Sequence, residues 1–209
     1  MSETEPRQMP VELIPLEASV RLADELAREI RTSGFRPDTV VAIARGGFLP
    51  ARFLCDFLHV HRLFSVKVEH YTAGAREQQQ AAVTAPLSGD IAGHRVLLVD
   101  DVNDSGDTLE AARAHVAEGA PEAVRIAVLH EKDTTGCAAD FVGQRVERWR
   151  WILYSWAVIE DAGQFARQME PAPATAAELD ARLRQDYGLA LDATELDRVI
   201  RFNELPVSS

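Results

Sequence analysis

The chain has 209 residues, 46% of them hydrophobic and 26% charged, with a formal net charge of −11. That is the make-up of an ordinary soluble globule, long enough for one full core and a modest extension. The acidic balance argues against a nucleic-acid partner, which needs a basic face, although a small anionic substrate needs only local donors. No apolar stretch is long enough to span a bilayer, so no membrane association is expected, and Met1–Pro10 is too acidic and polar for a signal peptide. Only Cys55 and Cys137 occur, with no histidine spacing that suggests zinc, so two reduced thiols in a cytoplasmic protein are expected.

Met1–Pro15 is punctuated by proline and is expected to be a loose arm. Leu16, Val20, Ala23, Leu26, Ala27 and Ile30 recur at helical spacing and predict an amphipathic helix over 16–32, closed by Ser33-Gly34. Thr39–Ala44 predicts a buried strand that breaks at Arg45-Gly46-Gly47, after which a helix resumes over 48–58. Residues 61–71 alternate as a strand. The stretch 72–90 is rich in Ala, Gln, Gly, Pro and Ser and lacks firm periodicity; a loop of that length is usually functional or mobile.

The central signal is Val96–Leu109. Its apolar, β-branched start is too short for a helix and predicts a buried strand, which ends in the adjacent carboxylates Asp100 and Asp101. A polar turn follows over 103–107, with Gly106 free to take angles that a Cβ forbids, and then a helix over 108–116. A helix N-terminus offers unpaired N–H groups and partial positive charge to an anion, while the acids can accept from sugar hydroxyls or stand near a divalent metal. Residues 123–129 predict another strand, with Glu131-Lys132-Asp133-Thr134 as its polar outlet. Residues 137–159 alternate, carry Trp149, Trp151, Tyr154 and Trp156, and are followed by an expected turn at Glu160–Gly163. Repeated strand–helix alternation predicts a parallel sheet covered by helices, with sites at the C-terminal ends of its strands. Past Phe165 the composition changes, Glu170–Ala174 reads as a linker, and two short helices are expected over 175–187 and 194–202, as a packing appendage or oligomer contact.

Taken singly, each signal has a plain alternative. Arg45-Gly46-Gly47 could be only a turn, Asp100-Asp101 a solvated strand end, Lys132 a surface lysine, and the aromatic patch a core or interface. A dehydrogenase of the doubly wound class would need Gly-x-Gly-x-x-Gly after its first strand, which Ala44–Pro50 does not supply.

The order of the signals along the chain resembles the type I phosphoribosyltransferases over about 16–161. Val96–Leu109 looks like that family's phosphoribosyl-pyrophosphate motif, Ala44–Gly47 its pyrophosphate loop, and 72–87 sits where it has a flexible catalytic loop. Val128–Lys132 and Trp151–Trp156 are similar to segments of the 6-oxopurine enzymes, the xanthine–guanine and hypoxanthine type. Ser105 stands where threonine is commoner, Ser155 where proline is usual and Ala157 where an acid is usual. The resemblance implies an α/β, Rossmann-like parallel-sheet core over 16–169, with a small hood mainly from 137–161, an N-terminal arm over 1–15 and a helical C-terminal extension over 170–209.

It also implies transfer of a phosphoribosyl group from phosphoribosyl pyrophosphate to hypoxanthine, guanine or xanthine in purine salvage, with Mg²⁺. Asp104 is the implied acid/base. Asp100 and Asp101 would hold the ribose hydroxyls and, through water, the metal. Ser105, Gly106, Asp107 and Thr108 would wrap the 5′-phosphate, with the Asp107 carboxylate turned away from it. Arg45, Gly46, Gly47 and Lys67 would receive pyrophosphate, and Lys132, Trp151 and Ile152 the base. A homo-oligomer, dimer or tetramer, is implied. The alternatives are a non-catalytic nucleotide sensor on the same fold and a phosphoribosyltransferase for another base.

Overall fold

A computed structural model describes residues 8–72 and 79–208. By packing, the chain divides into two units, Glu17–Trp149 and the two chain ends, up to Leu16 and from Arg150.

The Glu17–Trp149 unit is a six-stranded sheet with helices. In chain order it comprises most of α1 (Leu16–Thr32), then β2 (Thr39–Ala44), α2 (Phe48–Leu58), β3 (Arg62–Thr72), β4 (Gln79–Ala85), β5 (Arg95–Asn103), α3 (Asp107–Glu118), β6 (Ala123–Lys132) and β7 (Phe141–Val146). The label β1 belongs to Val11–Ile14, in the other unit. Spatial order is β4-β3-β2-β5-β6-β7, parallel throughout except for β3–β4. Val40 to Ile43 and Val96 to Val99 are buried without alternation, because helices cover both faces of a central parallel strand. Val41, Ile43, Leu98, Leu109, Val116, Ile126 and Val128 form one core on this sheet.

The strand order reverses between β2 and β5: β2 leads to β3 on one side, β5 to β6 on the other. Their ladder ends at Ala42–Val99, where the two chains part. In open α/β sheets such a reversal leaves a crevice beyond the strands' C-terminal ends, and ligands bind there.

The other unit pairs β1 (Val11–Ile14) in parallel with β8 (Trp151–Tyr154), followed by α4 (Val158–Gln168), α5 (Ala176–Tyr187) and α6 (Ala193–Phe202). Leu153, Val158, Ala162, Phe165, Leu179, Leu183 and Val199 form its core, with Val11 and Leu13 packed on it. The expected boundaries at 15/16 and 169/170 therefore do not follow the packing. The arm carries a strand, and the last two helices share a core with the segment before the linker. Four apolar-containing residues cannot be recognised as a strand until their partner is known, and β1 finds its partner about 140 positions later.

Three further expectations are corrected. Residues 79–85 form β4 rather than loop, since pairing with β3 satisfies their backbone groups whatever their weak pattern; 73–78 lie outside the described residues. The strand expected to end at Leu129 continues to Lys132, where β5 and β7 pair with it. Glu160–Gly163 is helical, inside α4. No helix among the described residues is long and apolar enough to cross a membrane.

Candidate active site

Two strand–turn–helix junctions meet at the crevice. After β2, Arg45-Gly46-Gly47 turns into α2; after β5, Asp104 to Gly106 turns into α3. The Ala44–Arg45 peptide is cis. The glycines are required by close approach. A Cβ on Gly46 would collide with the Asp101 carboxylate, and one on Gly47 with the carbonyl oxygens of Val99 and Ile43. The first turn is thus packed against the end of the second. Gly106 has φ +96°, and a Cβ there would lie 2.5 Å from the Cys137 amide nitrogen. Only glycine takes both that angle and that space.

Asp100 is buried, and its Oδ1 accepts from the Asp101 N–H at 2.9 Å. Burial first, and the neighbouring Asp101 second, push its carboxyl well above the usual carboxylate range. Asp101 Oδ1 accepts from the Val102 N–H at 2.8 Å. A cation brought to this pair would offset both causes of the shift.

The turn itself is braced from β6 and the segment after it. Glu131, wholly buried, accepts from Asn103 Nδ2 at 2.9 Å, from the Ala139 N–H at 2.7 Å and from Arg145 at 2.8 Å. Asn103 also donates to the Cys137 carbonyl, and the Gly136 N–H donates to the Ser105 carbonyl at 2.7 Å. His130, one residue before Glu131, is pushed down to about 4 by burial, so its ring is uncharged near pH 7.

Asp104 Oδ2 lies 2.5 Å from Lys132 Nζ, and Asp104 Oδ1 accepts from Thr134 Oγ1 at 3.1 Å. The lysine side chain is only 3% exposed. Its ammonium also stands 4.4 Å from the ring centroid of Trp149, which is 45% exposed. In the turn, Ser105 Oγ donates to Asp107 Oδ2 at 2.9 Å. The Asp107 carboxylate therefore accepts from the turn's own hydroxyl. Thr108 Oγ1 is 3.1 Å from His70 Nε2. Lys67 pairs in register with Ala44, which brings it to the first turn, and its ammonium lies 2.5 Å from Glu69.

One end of one sheet thus gathers Arg45, Gly46, Gly47, Lys67, Asp100, Asp101, Asp104, Ser105, Gly106, Asp107, Thr108 and Lys132. Trp151 and Ile152 belong to the other unit. There the Trp151 indole N–H donates to Asp161 at 2.7 Å, its ring stands edge-on to Phe165, and Ile152 is buried on β8.

A profile described as a phosphoribosyl transferase domain matches residues 12–157. The chain belongs to the type I phosphoribosyltransferase family. It is 32% identical over 141 residues to a xanthine-guanine phosphoribosyltransferase of Cereibacter sphaeroides, covering 64% of this chain and 80% of that one. A crystal structure of a purine phosphoribosyltransferase from Pyrococcus horikoshii superposes with a TM-score of 0.63 at 31% identity, covering 71% of this chain and 94% of that one. A hypothetical protein from Neisseria gonorrhoeae, with bound ppGpp, does so with a TM-score of 0.63 at 29% identity, over 72% and 90%. The phosphoribosyltransferase match ends at 157, just before α4, so α4 to α6 lie outside it.

Several residues at this end of the sheet escape a reading of the sequence. Glu131 and Thr134 look like surface polar residues beside Lys132, and Trp149 like one member of an aromatic patch. One signal was available for the lysines. The chain has twenty arginines but only two lysines: Lys132 ends β6, and Lys67, within β3, pairs with Ala44 at the end of β2.

Proposed function

We propose that the protein transfers the 5-phosphoribosyl group from phosphoribosyl pyrophosphate to a 6-oxopurine, releasing pyrophosphate, as a cytoplasmic purine-salvage enzyme working as a homo-oligomer. The observation that carries this reading is the buried Lys132 held on Asp104. A nearly inaccessible ammonium beside a carboxylate, at the mouth of an anion-cradling turn, suits a base with a carbonyl oxygen next to a ring N–H.

In this reading N9 of the base attacks C1′ of the sugar, the C1′–O bond breaks, and its electron pair leaves with pyrophosphate. Asp104 takes the N7 proton as the new bond forms. Lys132 donates to O6; a 6-amino group would present donors instead and leave the ammonium unsatisfied. Asp100 and Asp101 accept from the 2′- and 3′-hydroxyls. Ser105, Gly106, Asp107 and Thr108 hold the 5′-phosphate by backbone N–H and hydroxyl groups at the start of α3, displacing the Asp107 carboxylate from Ser105. Arg45 and the Gly46–Gly47 backbone receive the pyrophosphate, with Lys67 after it leaves Glu69.

Among the described residues no cluster of three or more His, Cys, Asp or Glu could hold a metal alone. Mg²⁺ uses one or two carboxylates, waters and substrate phosphates, and the Asp100–Asp101 pair fits that donor set. Bound there with the substrate, Mg²⁺ would neutralise charge on the leaving group.

A panel of bases tests the proposal. Pyrophosphate release is expected with hypoxanthine, guanine or xanthine, dependent on Mg²⁺, and not with adenine; turnover of adenine alone would refute the role given to Lys132. A second reading, a nucleotide-binding regulator, draws support from the ppGpp bound by the Neisseria protein. Tight nucleotide binding with no turnover of any base would favour it.

A further inference from the structure

Lys132 is held from two sides, and only one of them is a carboxylate. Asp104 Oδ2 lies 2.5 Å from Nζ, and the Trp149 ring centroid lies 4.4 Å from it. A cation within about 6 Å of an aromatic centroid is attracted by the ring's negative face. We propose that Trp149 is a positioning residue for the base site: its ring holds the Lys132 ammonium in place and so sets the preference for a 6-oxo over a 6-amino purine. This inference rests on the base-binding role assigned to Lys132 above.

The choice of an aromatic ring over a second acid has a physical reason. A second carboxylate would add negative charge beside Asp104 and close to the substrate's phosphates. It would also compete with the base carbonyl for the ammonium's donors, of which there are three. A π face attracts the charge without taking a strong linear hydrogen bond, so donor capacity remains for O6. The two supports also differ in time. When Asp104 accepts the N7 proton it loses its charge, and a lysine only 3% exposed loses its ionic partner. The ring does not titrate, so the ammonium keeps one favourable neighbour through the step. Trp149 is itself 45% exposed. A purely structural tryptophan would bury its ring, whereas this one leaves much of it uncovered and spends a face on the ammonium.

The experiment uses Trp149→Leu and Trp149→Phe in the full-length chain. With Trp149→Leu, KM for hypoxanthine or guanine is expected to rise about three- to thirty-fold, with KM for phosphoribosyl pyrophosphate unchanged and the hypoxanthine-to-adenine preference reduced by a similar factor. Trp149→Phe, which keeps a ring face, should recover most of the preference. Equal losses in both KM values and in kcat would mark general damage and overturn the inference.

A second arm does not depend on turnover. Because Lys67 and Lys132 are the only lysines, protein labelled with ¹³C at lysine Cε gives two side-chain signals, with Lys67 on Glu69 as internal reference. The Lys132 signal should be shifted by the ring and should move in Trp149→Leu while Lys67 does not. An unmoved Lys132 signal would overturn the inference even in an active enzyme. A moved signal in a protein that turns over no base would leave the contact intact and place the failure with the proposed reaction.

Discussion

The helices that start at the crevice and those that end the chain begin differently. Gly47 and Gly106, the N-caps of α2 and α3, have no side chain with which to bond the first-turn N–H groups. Thr175 and Asp192, the N-caps of α5 and α6, accept from the N–H groups of Glu178 and Glu195, and Asp192 completes a capping box. Orphan donors at a helix start must be satisfied by a cap, by water or by a ligand. The tail helices satisfy theirs internally and gain stability. At the crevice the first helical N–H groups find acceptors in the turns themselves: Phe48 N–H donates to the Arg45 carbonyl at 3.2 Å and Asp107 N–H to Ser105 Oγ at 3.4 Å. α4, which begins at Ala157, also lacks a side-chain cap. A missing cap therefore marks a site only with the other features, here glycines packed against the neighbouring turn and a buried acid pair.

Three substitutions probe that division of labour. Asp104→Asn removes the proton acceptor and leaves one of its two donors, Lys132 or Thr134, facing an amide NH2 instead of an acceptor oxygen. It should lower kcat by about 10²–10⁴-fold, with KM for phosphoribosyl pyrophosphate nearly unchanged in steady-state assays; an equal loss in both would contradict the acid/base role. Gly46→Ala places a Cβ on the Asp101 carboxylate, so the acid must swing away or the turn must shift. Affinity for phosphoribosyl pyrophosphate, read by calorimetry, should fall by roughly tenfold, within the ~0.5–3 kcal/mol usual for a single substitution. Asp192→Ala should cost about 1 kcal/mol of stability in denaturant titration and leave both KM values and kcat alone. If it altered turnover as Gly46→Ala does, tail and crevice would not be functionally separate.

Val96–Leu109 was legible because strand, acids, glycine and helix start are consecutive, so local pattern and local structure coincide. β2, α2 and α3 were legible for the same reason: each is a continuous run whose period matches its fate. The strand end at Glu131–Lys132 was not, because two charged residues at the end of an apolar run read as solvated. Only the structure supplies the partners that permit their burial, namely Asn103, Ala139 and Arg145 for Glu131, and Asp104 with Trp149 for Lys132. β1 and β4 failed for a related reason. A short strand is stabilised by its neighbour's hydrogen bonds, and the neighbour is not encoded in the strand's own pattern.

By itself, then, the sequence determined the alternating α/β order, the acid-tipped strand and the glycine turns, since these depend on backbone propensity and side-chain period over a few consecutive residues. The tertiary structure alone decided that β2 and β5 lie side by side at the reversal of strand order, that Gly46 abuts Asp101, and that a buried lysine rests between a carboxylate and an indole. Those contacts join residues 17 to 57 positions apart. Contacts at such separations are set by how strands order themselves in a sheet, which no short window of sequence contains.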